Sequence, residues 1–116
     1  MSTTLTGDLH GTDTKDTSEL SRKARKYTYR VSASGGGTVR LKIDYLIPGQ
    51  IGLDGDTIDS KWKNLVPRFK TDSGQTTSGR FSLPKVNDEG KTMMKVIFSR
   101  GIGTKGVNYE FYMEPA

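Results

Sequence analysis

The sequence predicts an all-β domain of about six mostly antiparallel strands, arranged as a sheet, a sandwich or a small barrel, with at most one or two short helices. Apolar residues recur at every second position in several stretches, which is the period of a strand with one buried face. Short turns that contain glycine or proline separate these stretches. The chain has no internal repeat.

The first two clear strands are residues 27–33 and 39–45. Tyrosine, valine and alanine alternate with polar residues in the first, and valine, leucine, isoleucine and tyrosine alternate with charged ones in the second. The segment 34–37 (SGGG) lies between them, and glycine supplies the positive φ angles of tight turns. The two stretches are therefore predicted to pair as a hairpin.

The middle of the chain is less regular. Pro48 and Gly49 end the second strand, and residues 48–60 form a loop rich in glycine and aspartate. A short helix is predicted over 57–65, where Asp56 or Thr57 is placed to cap three apolar residues at helical spacing: Ile58, Trp62 and Leu65. This helix is expected to place Trp62 against the sheet.

Four further segments complete the predicted sheet. Residues 66–71 are a short strand in which Pro67 favours an edge position. A polar loop over 72–79 leads to a brief strand over 80–83. The two clearest strands, 92–99 and 107–113, are expected to form the closing hairpin. Their connecting loop matches G-x-G-x-x-G, but a dinucleotide site needs a following helix, so turn formation explains these glycines.

Residues 1–20 are predicted to form a flexible polar N-terminal arm, and residues 21–116 a single β-rich domain. The stretch up to about Thr17 has only isolated apolar residues, Leu5 and Leu9, and cannot bury enough apolar surface to offset its ordering entropy. Hydrophobic residues make up only 32% of the chain, which favours a homo-oligomer in which a second copy covers exposed apolar surface.

Charge is the most informative bulk property. The formal net charge is +5, yet residues 1–20 carry four carboxylates and one lysine. The basic excess therefore lies in residues 21–116, and such a domain attracts polyanions, above all nucleic acid. A solvated surface that maintains solubility is the simpler explanation of the same charge. The run Arg22, Lys23, Arg25 and Lys26 is a candidate phosphate-binding arm, with a solvated linker as the alternative.

One predicted sheet face is strongly basic. If the apolar residues of each strand face inward, the other face presents seven cations opposed by only Asp44 and Glu110. Lysine and arginine would contact phosphates, and Tyr112 on the same face would stack on a base. The candidate nucleic-acid-binding residues on this face are Arg30, Arg40, Lys42, Arg68, Lys70, Arg80, Lys95 and Tyr112.

The chain lacks the residue types from which most familiar active sites are built. The chain has no cysteine, and its one histidine, His10, falls in the predicted arm. The loop 54–59 holds three aspartates but lacks the spacing and the final glutamate of a calcium loop, although it could hold a cation weakly. We therefore predict no enzyme activity, no catalytic residues, no metal site and no cofactor.

The leading functional hypothesis is a non-enzymatic nucleic-acid-binding or packaging protein, such as a viral coat-type protein that self-assembles. RNA and DNA are both open as partners, with low sequence specificity. The alternative is a small β-sandwich module that binds carbohydrate or a protein through its loops, using Trp62, Tyr45 and the 54–59 loop. A third option is an inhibitor that masks a charged partner surface.

Location is the last expectation from the sequence. The first residues, MSTTLTGD, lack the cationic and apolar segments of a secretory signal, and no apolar run is long enough to span a bilayer. These features favour a cytoplasmic or virion location.

Overall fold

The computed structural model describes residues 2–10, 15–23, 25–51, 55, 57–58, 60–84, 91–101 and 105–116. These residues form an all-β domain without a helix. Eight long strands build two antiparallel four-stranded sheets, and two short strands form a separate pair. The strands are β1 (Thr3–Leu9), β2 (Lys15–Arg22), β3 (Lys26–Ser34), β4 (Thr38–Ile47), β5 (Gln50–Ile51), β6 (Thr57–Ile58), β7 (Lys61–Asp72), β8 (Thr76–Ser82), β9 (Thr92–Arg100) and β10 (Val107–Pro115).

The strand order is that of a jelly roll. The first sheet has the order β1-β10-β3-β8 and the second the order β2-β9-β4-β7. Successive long strands therefore lie in opposite sheets, except for β4 and β7, which pair with each other and flank the short β5–β6 pair. Two four-stranded sheets connected in this way are the double Greek key of jelly-roll domains. The predicted all-β class is confirmed, with eight long strands instead of six.

Both predicted hairpins are wrong. β3 lies in the first sheet and β4 in the second, and β9 and β10 are likewise divided between the sheets. The glycine turn after β3 does form, with φ angles of 97° at Gly35 and 102° at Gly36, but the chain crosses there from one sheet to the other. Alternation identifies the buried face of a strand and does not identify its partner.

The predicted flexible arm does not hold for β1 and β2. β1 pairs with β10 along its whole length, and β2 pairs with β9 from Lys15 to Arg22. Both are edge strands with one solvated face, so a polar composition is compatible with strand structure. Leu9 is fully buried, and Leu5 and Leu20 contact the core. These strands belong to the sandwich, so the division at residue 20 has no counterpart in the strand pairing.

The predicted helix over 57–65 is replaced by strands. β6 covers Thr57–Ile58, and β7 begins at Lys61. The register of β7 against β4 shifts on both sides of the Ile43–Val66 pair, which marks two bulges. The Asn64 amide holds one of these irregular places together by donating to Asp44 Oδ1 at 3.0 Å and to the Val66 carbonyl at 3.1 Å. The three apolar residues at helical spacing are divided between two strands, with Ile58 in β6 and with Trp62 and Leu65 in β7, where a bulge breaks strict alternation.

β7 and β8 are longer than predicted. β7 is an edge strand of the second sheet, as Pro67 indicated, and Pro67 lies at a bulge where no regular ladder bond is needed. Part of the predicted polar loop, Thr76–Gly79, belongs to β8. The serines and threonines of β8 mostly face solvent, so the polar composition of this segment is also typical of a loop.

The core lies between the two sheets and is rich in aromatic residues. Phe98 on β9 stacks on Tyr109 of β10, with ring centroids 4.1 Å apart, and meets Phe111 edge-on at 5.8 Å. Tyr29 contacts the rings of Phe69, Phe81 and Phe111. These contacts join the second sheet to the first. No helix in the described part of the chain is long and apolar enough to cross a membrane.

A hydrogen bond joins the two sheets at the β1–β2 edge. The Tyr109 hydroxyl on β10 donates to Asp16 Oδ2 on β2 at 2.8 Å. Burial raises the pKa of the Tyr109 phenol, and the hydrogen bond to Asp16 and the charges of Asp16 and Asp8 raise it further. The phenol therefore keeps its proton in the folded protein at pH values where a free tyrosine loses it.

Alkaline pH is expected to destabilise the fold through Tyr109. In the unfolded chain this phenol ionises around pH 10, whereas the folded chain holds the proton more strongly. The contribution of this phenol to the free energy of unfolding is therefore complete below pH 10 and is lost as pH rises above 10. The check is the urea unfolding midpoint between pH 8 and pH 11.5. Tyr109→Phe is expected to show a shallower alkaline decrease, and an equal decrease in both proteins would contradict this prediction.

Candidate nucleic-acid interface

The structure divides the predicted basic face between two opposite surfaces. On the first sheet, Arg30 and Arg80 face outward together with Tyr112. The five other predicted cations belong to strands of the second sheet, on the far side of the core: Arg40, Lys42, Arg68, Lys70 and Lys95. The predicted surface of seven cations is therefore two surfaces, and the second sheet carries the larger group.

Three cations form a row across the outward face of the second sheet. Lys15 pairs with Ser99, Ser99 with Arg40, and Arg40 with Lys70. Directly paired residues of antiparallel strands share a face, and neighbouring strands lie about 4.8 Å apart, so the row spans about 14 Å. Within the described part of the chain, none of these three cations has an acidic partner within 4.0 Å. We call Lys15, Arg40 and Lys70 the basic row.

Lys42 and Arg68 extend the basic row to form what we call the basic patch. Lys42 follows Arg40 by two residues on β4, and Arg68 lies in the bulge opposite Lys42. Two carboxylates lie nearby: Asp44 accepts from Asn64 and lies 3.9 Å from the Lys42 amine, and Asp72 accepts from the Thr38 hydroxyl at 2.7 Å. The five cations of the basic patch outnumber these two carboxylates, so the patch keeps a net positive charge.

Trp62 lies on the same outward face. It pairs with Leu46, and the Lys95 amine lies 4.3 Å from the centroid of its indole ring. The prediction that a helix places Trp62 against the sheet is therefore wrong, because the residue belongs to an edge strand of the sheet itself. Tyr45 is adjacent to Leu46 in β4 and contacts the core, so Trp62 and Tyr45 lie on opposite faces and form no common platform for a sugar.

The segment from Arg22 to Lys26 lies at the opposite end of β2 from the basic row. Arg22 is seven positions along β2 from Lys15, which is about 23 Å in a strand. Arg22 is half-buried and donates to the Thr3 hydroxyl and to the Ser21 carbonyl. Its side chain joins β2 to β1. The exposed members of this segment are Lys23, Arg25 and Lys26.

The outward face of the first sheet is electrically balanced. Among the described residues, its cations are Lys26, Arg30 and Arg80, and its carboxylates are Asp8, Glu110 and Glu114. Within the described strands of the second sheet, three outward carboxylates, Glu19, Asp44 and Asp72, face six outward cations: Lys15, Arg40, Lys42, Arg68, Lys70 and Lys95. The two outward faces therefore differ in charge. The first sheet is balanced, and the second sheet carries an excess of positive charge.

Sequence reasoning missed Lys15. It was assigned to the flexible arm, although the stretch from Lys15 to Leu20 alternates exposed and half-buried residues in the structure. The half-buried positions of this stretch are Asp16, Ser18 and Leu20. Only Leu20 is apolar, so the sequence gives a weak signal for a strand with one buried face.

The two other sequence motifs lie partly or wholly outside the described residues. The described residues contain no cluster of three or more histidine, cysteine, aspartate or glutamate residues that could hold a metal. Asp54, Asp56 and Asp59 lie outside the described residues. Gly101 and Gly106 contact the glycine turn after β3, where the Gly101 amide donates to the Thr38 carbonyl at 2.7 Å and the Gly106 carbonyl accepts from Gly37 at 3.0 Å.

Comparison with known proteins shows similarity of fold alone. No protein-family model matches the chain, and no curated protein matches it in sequence. The chain is similar to tripeptidyl peptidase 2, with a TM-score of 0.52 and 6% identity over 92% of this chain and 8% of that one. This likeness supports the sandwich architecture.

Two further solved structures have lower TM-scores. A mitogen from Yersinia pseudotuberculosis gives a TM-score of 0.48 and 11% identity, over 100% of this chain and 86% of that one. A chain of infectious bursal disease virus, Gx strain, gives a TM-score of 0.44 and 10% identity, over 97% of this chain and 29% of that one. The present chain thus spans less than a third of the viral chain.

Proposed function

We propose that this protein is a non-enzymatic nucleic-acid-binding structural protein that associates with copies of itself. It binds the phosphate backbone with the basic patch on the outward face of the second sheet. The basic row carries the proposal, because three cations on three different strands are fixed side by side by the sheet register. Such a surface makes phosphate contacts with little dependence on base sequence.

The neighbouring residues fit the same role. Ser99 lies within the basic row and Thr17 lies on the next row, so hydroxyl groups stand between the cations and add hydrogen bonds to phosphate oxygens. Trp62 presents an aromatic ring at the margin of the face, and aromatic rings stack on bases of any sequence. We therefore propose single-stranded nucleic acid as the ligand.

Charge reversal of the basic row tests this function. Arg40→Glu combined with Lys70→Glu is expected to weaken binding of a labelled 20-nucleotide single-stranded RNA about thirtyfold at 0.1 M salt. Loss of two phosphate contacts should also lower the slope of log affinity against log salt by about 1.4. The measurement is fluorescence anisotropy between 50 and 200 mM salt, with circular dichroism to confirm that the variant is folded.

A matched variant controls for net charge. Lys61→Glu combined with Lys105→Glu changes the charge equally at two exposed positions outside the basic patch. Its affinity is expected to stay within about threefold of the original protein. Equal weakening by the two double variants would show a general effect of net charge and would count against the basic patch. Unchanged affinity in the Arg40 and Lys70 variant would also exclude it.

Self-association has its own test. We expect light scattering after size exclusion to give a mass above that of one 12.8 kDa chain, with a raised 260/280 absorbance ratio before nuclease treatment. Met93, an exposed apolar side chain on the second sheet, is one place where a second copy would cover apolar surface. A monomer that stays free of nucleic acid at low salt would contradict both parts of the proposal.

A further inference from the structure

Two arginines and two hydroxyl residues alternate on the outward face of the first sheet, where β3 pairs with β8. Thr28 pairs with Arg80, and Arg30 pairs with Ser78. The arginines therefore occupy one diagonal of the β3–β8 ladder and the hydroxyls the other. Diagonal neighbours across two strands lie about 7–8 Å apart, within reach of long side chains.

This group borders a groove of about 410 Å³. Tyr112 and Glu114 from β10 also line it. The Arg30 guanidinium carbon lies 4.8 Å from the centroid of the Tyr112 ring, and the Tyr112 hydroxyl donates to Glu114 Oε2 at 2.9 Å. Tyr112 thus restricts the position of Arg30. The groove contains two arginines and the single carboxylate of Glu114, so its net charge is +1.

The two guanidinium groups have no acidic partner within 4.0 Å among the residues that the structure describes. Like charges at neighbouring positions on one sheet face repel each other. An anion between Arg30 and Arg80 would offset this repulsion. Each guanidinium offers a fork of N–H donors, and the hydroxyls of Thr28 and Ser78 add further donors, which together match the several oxygens of a tetrahedral anion.

We propose that this groove binds one tetrahedral oxyanion, the phosphate or sulfate ester group at the end of a small ligand. The site is separate from the basic patch, because it lies on the opposite surface of the sandwich. The same face carries Asp8 and Glu110 at its other end, where a second groove also contains Asn108. These carboxylates repel an extended polyanion, so the face suits a single anionic group.

The test is a titration with inorganic phosphate and, separately, inorganic sulfate at constant ionic strength, followed by amide chemical shifts. Saturable shifts are expected at residues 28–30 and 78–80. Arg30→Gln and Arg80→Gln are each expected to weaken binding about tenfold, because each removes one charged fork. Arg30→Lys is expected to give an intermediate affinity, since it keeps the charge and loses the paired donors.

Lys26→Gln is the matched control, because Lys26 lies on the same face and on the same strand as Arg30, outside the groove. Its affinity is expected to stay within about twofold of the original. Weakening equal to that of Arg30→Gln, or shifts that never saturate, would show diffuse attraction and overturn the proposal. Glucose 6-phosphate and glucose 6-sulfate then distinguish the two ester classes, and failure of both to compete with the inorganic ion would overturn the assignment to an ester ligand.

Discussion

Phe98→Ala is expected to lower the free energy of unfolding by about 3–5 kcal/mol, the usual cost of removing a large buried aromatic side chain. Phe98 is fully buried on β9, and its ring contacts Tyr109 and Phe111 of the opposite sheet. The substitution therefore removes contacts between the sheets and leaves a cavity where they meet. Urea unfolding followed by tryptophan fluorescence or circular dichroism measures this loss.

A loss of this size is a large share of the stability of a small domain, which is typically about 5–15 kcal/mol. Phe98→Leu serves as a second variant if Phe98→Ala does not fold, and it is expected to lose less because it leaves a smaller cavity. Glu19→Ala is the control, since Glu19 is exposed on the neighbouring strand β2. Equal destabilisation by Phe98→Ala and Glu19→Ala would contradict the assigned core.

Gly79→Val is expected to destabilise the protein by about 3 kcal/mol, near the upper end of the usual cost of overpacking. A Cβ atom at Gly79 would lie 2.5 Å from the Tyr29 hydroxyl oxygen and 2.6 Å from Tyr29 Cζ. Tyr29 is the direct cross-strand partner of Gly79, and its ring is held by three other aromatic rings. The Tyr29 ring covers Gly79, and the three surrounding rings restrict its movement away from a valine side chain.

The contact between Gly79 and Tyr29 can be isolated by a double-mutant cycle. Gly79→Val measured in a Tyr29→Ala background is expected to cost less than 1 kcal/mol, because the obstructing ring is gone. Ser78→Val adds a branched side chain at the neighbouring outward position of β8 and is expected to change stability by less than about 0.5 kcal/mol. A cost for Gly79→Val that persists without the Tyr29 ring would contradict this explanation.

The sequence was sufficient to predict which residues of the regular strands face inward. Val31, Leu41, Val96 and Phe111 are all fully buried, as their alternation indicated. Strand partners were not predictable in the same way, because the alternation in β3 is the same whether β3 pairs with β4 or with β10 and β8. The jelly-roll order depends on packing across the whole chain, which local patterns do not contain.

The candidate interface was predictable within a single strand but not between strands. Arg40 and Lys42 were correctly placed on one face, since they are two residues apart in a single strand. Arg30 was grouped with them, but β3 and β4 belong to opposite sheets, so its outward face points away from theirs. The nucleic-acid ligand stays a prediction until binding is measured.

The position of β10 between β1 and β3 has a consequence for how the chain folds. Thr3 pairs with Met113, so the first sheet joins segments that are separated by almost the whole sequence. During synthesis, β1 and β3 lack the strand that lies between them until β10 has left the ribosome. Pairing over such sequence distances requires closing large loops before any contact is gained, and it typically gives folding times of milliseconds to seconds.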